Sequence, residues 1–258
     1  MRLLTAVASL MLLVFSVGCR SFMARNSPNY VLNQGEWNSR STNHFVFYFR
    51  PGSRTERQIN IIADRQENNY KEILGLLQAS DPDCKIRVFI FPTLEDKIHI
   101  TSSWAYAHTI GDYHTVYCID RDTIRNVVGR REVTHLLLGE VWGPCAGGPF
   151  SWIMMEGIPV WADEDWFRME LFKYAEIIFA NGNIITPYDI AMDSKISERN
   201  TLAYPVAGAF VKYLVQKYGL EKLVQLYREG HSQKDFLRIF GLEFPEASEQ
   251  FVNYILSP

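Results

Sequence analysis

Positive charge is not in surplus: 26 Lys and Arg stand against 29 Asp and Glu, a net charge of −3 at pH 7. No stretch gathers Lys and Arg among aromatics, so the chain has neither the sign nor the pattern of a groove that tracks phosphates, and nucleic acid is excluded as a partner. Cysteine is sparse, with four in 258 residues. No internal repeat or low-complexity tract is present, which excludes solenoids and compositionally disordered tails. What the chain has is apolar mass: 47% of residues are hydrophobic and 14% aromatic. That suffices for one large domain or two small ones with a full core.

The first residues stand apart. MRLLTAVASLMLLVFSVGC has one cation, Arg2, then an apolar run from Leu3 to Phe15, then small residues ending at Cys19. The run is too short to span a bilayer and has the order of an export signal. With Cys19 directly after Ser-Val-Gly, it resembles a bacterial lipoprotein signal, although Ser16 stands where such boxes usually carry leucine. The resemblance implies cleavage of residues 1–18, a lipid on Cys19 and a membrane-anchored protein in the bacterial cell envelope, facing the periplasm or exterior. Removing 1–18 takes away Arg2 alone among the charges. Cys84, Cys118 and Cys145 then remain, an odd set that permits one bridge and leaves one thiol, with the pairing open.

Residues 19–40, polar and holding Pro, Asn and Gly, have the composition of a tether. A domain is expected over 41–258, with an α/β part at 41–121 and a helical part at 122–258. HFVFYFRP alternates as a strand should. Ser53 and Glu56 form a capping box ahead of a helix with apolar residues at helical spacing to Leu77, stopped by Asp81-Pro82. KIRVFIF is a second strand, and WAYAHTIGDYHTVYCID reads as two strands about Gly111-Asp112. Two long helical patterns follow, TIRNVVGRREVTHLLLGEVW and FSWIMMEGIPVWADEDWFRMELFKYAEIIF, joined by the turn GPCAGGP. Four shorter helices end the chain, the first three closed by glycine. The class expected is α+β: a small N-terminal mixed β-sheet with helices, then a helical bundle.

Within GRREVTHLLLGEVWG, residues 129–143, one position separates the sequence from H-E-x-x-H, the helical pattern in which two imidazoles one turn apart hold zinc. Arg131 occupies the place of the first histidine. With 17 Glu and six His, about 0.4 chance matches to E-x-x-H are expected, so Glu132 and His135 count only in company. Glu156 supplies it, 21 residues after His135 in FSWIMMEGIPVW, where a second helix brings a carboxylate against the first. Downstream, AYPVAGAFVKYL sets Tyr204 at a helix start. A di-iron bundle would need a second E-x-x-H, and the sequence has none. Cys145 sits in a tight turn, and Trp152, Trp161, Trp166 and Phe167 read as core packing.

On REVTHLLLGE, WIMMEGIPV and AYPVAGAFVKYL the chain resembles the gluzincin zinc metallopeptidases, above all their peptidase MA-like group, over residues 44–256. The resemblance implies a zincin-like active-site helix carrying Glu132 as general base, His135 and Glu156 as zinc ligands and Tyr204 as oxyanion donor. It also puts His108 and His114 near the family's substrate-binding edge strand, where a surrogate ligand would have to be sought. Two departures stand out. Trp152 lies four rather than three residues before Glu156, and Arg131 replaces the first ligand. Arginine stays protonated and has no lone pair to give. At about 4 Å from a dication, with an effective dielectric of about 20, it would be repelled by roughly 8 kcal/mol.

Two readings follow. In the first, the protein is a pseudopeptidase that binds a peptide or protein through the family's cleft, with Arg131 paired to Glu156 and standing in for the charge of zinc. In the alternative, it is an active zinc-dependent metallopeptidase with an atypical ligand set.

Overall fold

A computed structural model describes residues 22–120, 128–182, 185–193, 195–196 and 200–257. The protein is α+β, with a mixed five-stranded sheet followed by helices. It divides into two compact units, one of residues up to 68 with 83–128, the other of 69–82 with 129–258.

In the first unit the strands are β1 (Asn38–Ser41), β2 (Phe45–Phe49), β3 (Ile86–Phe91), β4 (Ala107–Ile110) and β5 (Thr115–Ile119), in the order β1-β2-β3-β5-β4. β2, β3 and β5 run parallel, and β1 and β4 are antiparallel edges. The alternation in HFVFYF is realised: Phe45, Phe47 and Phe49 are buried and the residues between them half-buried. Central β3 is buried at five of six positions, as a parallel strand covered on both faces should be. On one face the register aligns Tyr48, Phe89, Tyr117 and His108 into a ladder of stacked rings with centroids 4.7, 5.3 and 5.1 Å apart. Trp37 packs edge-on against Phe89 and Phe91.

Helices α1 (Pro28–Leu32) and α3 (Leu94–Thr101) belong to this unit, and α2 (Arg54–Leu76) begins in it and ends in the second. At the start of α2, Ser53 caps the Glu56 N–H, while the Glu56 carboxylate accepts from Gly52 instead of closing the expected box on Ser53. The tether expected over 19–40 is corrected from residue 22 onward. Asn26 and Val31 are fully buried, and the Tyr117 hydroxyl donates to the Asn26 carbonyl. A polar segment can pack when its amides find buried partners, which composition does not report.

The longer segment of the second unit begins with α4 (Arg130–Trp142), whose first turn follows Gly129 in extended conformation. The helix expected to begin near 122 falls partly on 121–127, outside the described residues. The single long helix expected over 150–179 is two. A widened turn of i→i+5 type, Ile153–Gly157, leads into α5 (Ile158–Asp163). A hairpin of β6 (Asp165–Trp166) and β7 (Met169–Glu170) then intervenes before α6 (Leu171–Ala180). Glu164 ends α5 in the left-handed region, and Phe167 and Arg168 turn the hairpin at φ of 52° and 69°. Apolar periodicity alone does not register such a break. Pro159 gives a cause for the widened turn, since it has no N–H to offer the Met155 carbonyl four residues earlier.

The remaining helices are α7 (Pro187–Met192), α8 (Ala203–Tyr218), α9 (Leu220–Glu229), α10 (Gln233–Phe240) and α11 (Phe244–Leu256). Gly219, Gly230 and Gly241 end α8, α9 and α10, as the sequence predicts. α8 packs against both α5 and the widened turn, and two glycines set how closely. A Cβ on Gly157 would lie 2.9 Å from the Ala207 carbonyl oxygen, and one on Gly208 would lie 2.4 Å from Val160 Cγ1.

Candidate functional site

α4, the widened turn and the start of α8 bring four of the singled-out side chains together. Arg131 and His135 are one turn apart on α4, so both reach the same side. Glu156 comes from the widened turn, the kind of local helix irregularity that often re-aims a functional side chain. The Arg131 Nη2 donates to Glu156 Oε2 at 2.8 Å. The His135 Nε2 lies 3.5 Å from the same oxygen. Both members of the closer pair are largely withdrawn from solvent, with side-chain exposures of 28% for Arg131 and 23% for Glu156.

The aromatic wall comes from α8 and the hairpin. The Arg131 guanidinium carbon lies 4.8 Å from the centre of the Tyr204 ring, within cation–π range. Tyr204 in turn is stacked with Trp166 at 5.8 Å and meets Trp152 edge-on at 5.1 Å. The expectation of core packing for the aromatic run holds for Trp161, which is buried, and is corrected for the others. Phe167 is 82% exposed, and Trp152 and Trp166 are half-buried against Tyr204. Trp166 is the residue sequence reasoning missed as part of this site. It reaches Tyr204 through the hairpin, and no spacing rule signals that.

Electrostatics follow from these contacts. Burial alone would raise the Glu156 carboxyl, but the hydrogen bond and charge of His135 and the charge and hydrogen bond of Arg131 outweigh it and hold the group below its usual range. By distance, the guanidinium is the nearer partner. Burial opposes the charge on Arg131, and Glu156 and then Glu132 more than restore it. Tyr204 is pushed up by burial and by the Glu156 charge, with Arg131 partly offsetting them, so its hydroxyl remains a donor. Among the described residues the buried Arg131 Nε has no hydrogen-bond partner.

A catalytic zinc ion needs three protein donors and an open position for water. The donor set here is one imidazole and one carboxylate, and the carboxylate oxygen that would coordinate the metal already accepts from a guanidinium. These residues do not fit the ion.

The other candidates lie elsewhere. His108 is in the first unit, where its Nε2 meets Asn26 Oδ1 at 2.9 Å. Burial and the Lys97 charge push it down to about 3. His114 occupies the turn before β5 with φ of 44°. Cys145 donates to the Ala146 carbonyl, and burial pushes its thiol up to about 11, the reverse of an activated nucleophile. The Cys118 thiol donates to the Phe89 carbonyl across the sheet. Cys19 lies outside the described residues. No protein-family model matches the chain, and no curated protein matches it.

Proposed function

We propose that the protein is an exported, lipid-anchored pseudopeptidase of gluzincin type, which binds a peptide or protein without hydrolysing it. One observation carries the reading: the guanidinium 2.8 Å from Glu156, at the position where the resemblance calls for the first zinc ligand. Hydrolysis of this type depends on a metal that turns water into a nucleophile near neutral pH. A fixed cation supplies charge but activates no water. What is left is a half-buried charged pair beside an aromatic wall of Tyr204, Trp152 and Trp166, a surface suited to recognition. An extended peptide also has a place to add, since among the described residues β4 pairs with β5 alone.

Elemental analysis and a peptide-hydrolysis assay on the mature protein test this. The expected result is well under one zinc per chain and no chelator-sensitive cleavage. One tightly held zinc per chain, with hydrolysis lost in Glu132→Gln, would overturn the proposal in favour of an active peptidase with an atypical ligand set. The anchor is tested separately: Cys19→Ser should move the protein from the membrane to the soluble fraction and abolish lipid labelling.

A further inference from the structure

Two of the most exposed large side chains in the described residues share one short loop. Trp104 is 77% and Tyr106 56% exposed, in Ser-Ser-Trp-Ala-Tyr, residues 102–106, which contains no charged residue. The loop is held from beneath. Lys97 is fully buried, and its Nζ donates to the carbonyls of Ala105 at 2.7 Å and Ser103 at 3.4 Å. The buried ammonium thus fixes the loop backbone beneath the two exposed rings.

Both ends of this loop are tied to the first described residues. The Asn26 Nδ2 donates to the Thr101 carbonyl at 3.0 Å, and its Oδ1 meets His108 Nε2 at 2.9 Å. Arg25 donates to Ser102 Oγ at 3.0 Å. The ring of Phe22, itself 36% exposed, lies 6.3 Å from that of His108. Only Arg20 and Ser21 separate Phe22 from Cys19, a reach of at most about 11 Å between Cα atoms.

We propose that the 102–106 loop, with Phe22, is a membrane-docking surface that seats Trp104 and Tyr106 in the headgroup region of the bilayer holding the Cys19 lipid. The proposal rests on the lipid anchor of the preceding section. Tryptophan and tyrosine favour that region because each has an apolar body and a polar tip. Nothing charged in the loop has to be desolvated, and Arg25, which donates to Ser102, matches the phosphates of anionic lipids. The short reach from Cys19 favours lipid over a protein partner for this surface. Among the described residues no helix is long and apolar enough to cross a membrane, so the contact is one of surface and anchor.

The test uses the mature lipidated chain in vesicles of phosphatidylethanolamine and phosphatidylglycerol with brominated acyl chains. Bromine should quench part of the tryptophan fluorescence, and Trp104→Phe should lose most of that quenching while keeping the wild-type circular dichroism. Hydrogen exchange across 102–106 should slow on vesicle reconstitution, a readout that does not depend on the variant. Mass spectrometry of the N-terminal peptide separates the two ideas. An acylated Cys19 with equal quenching in wild type and Trp104→Phe overturns the docking surface and leaves the anchor standing. A mature N-terminus downstream of Cys19 removes the anchor and the docking proposal with it. Concentration-dependent dimers of Cys19→Ser that protect the loop would assign it to a second copy of the chain and overturn the proposal.

Discussion

Truncating Arg131 to alanine removes the cation facing Glu156 and leaves the carboxylate with His135 Nε2 at 3.5 Å as its near partner. Two unit charges at 2.8 Å attract by about 6 kcal/mol at an effective dielectric of about 20. Desolvating two groups that are each about three-quarters withdrawn from water takes back most of that. Exposed pairs net about 0.5 kcal/mol, and breaking buried ones costs about 3 to 5. The intermediate burial places this pair near 2 kcal/mol, to which the Tyr204 contact adds about 0.5. For a chain of this size that is a fall in Tm of roughly 5 to 10 °C. The assay is a thermal or urea melt of wild type, Arg131→Ala, Glu156→Gln and the double variant in metal-free buffer, with a coupling of about 2 kcal/mol expected from the cycle. The pH dependence adds a check. A carboxyl depressed in the folded state contributes stability that is complete above its unfolded value, near 4.5, and is lost as pH falls through the folded value. The Tm gap between wild type and Arg131→Ala should therefore be steady near neutrality and narrow below pH 4.5. A coupling under about 0.5 kcal/mol, or a gap unchanged in acid, would refute the ion pair as the reason for the arginine.

Arg131→His restores H-E-V-T-H, and its Tm should rise on addition of zinc while that of the wild type does not, as ligand linkage requires. Gly208→Ala should destabilise by about 1 to 3 kcal/mol in a urea melt, because the new methyl meets Val160 between two packed helices. The equivalent change at exposed Gly139, where the added methyl would have nothing within 4 Å, should be neutral or mildly stabilising. Cys145 should alkylate with iodoacetamide far more slowly than a small-molecule thiol at pH 8, since a thiol near 11 is about 0.1% thiolate there; mass spectrometry of the labelled peptide reads this directly.

The elements with strong local grammar were legible in the sequence. Alternating Phe45, Phe47 and Phe49 gave a strand, and Gly219, Gly230 and Gly241 marked three helix ends, because alternation and left-handed or flexible stops are written in consecutive residues. The segment 22–41 was not legible. Its order depends on Asn26, whose partners Thr101, His108 and Tyr117 lie more than 70 residues away. The break between α5 and α6 was hidden for a related reason, since Glu164, Phe167 and Arg168 adopt left-handed backbone conformations that their residue types rarely signal. At the site, the near-match to H-E-x-x-H singled out Arg131, Glu132 and His135, and the family resemblance set Glu156 and Tyr204 beside them. It could not bring in Trp166, which arrives by the unforeseen hairpin.

The widened turn at Ile153–Gly157 bears on how this protein can change over generations. A helix takes up one extra residue by bulging a single turn, so the faces on either side keep their aim. Gain or loss of a codon between Trp152 and Glu156 is thus a change the surrounding bundle can absorb, and its effect falls on the direction of one carboxylate. One residue later the tolerance ends, because Gly157 lies against the backbone at Ala207 with no room for a side chain. Descendants and cousins of this sequence should accordingly differ in length just before Glu156 and hold to a small residue just after it.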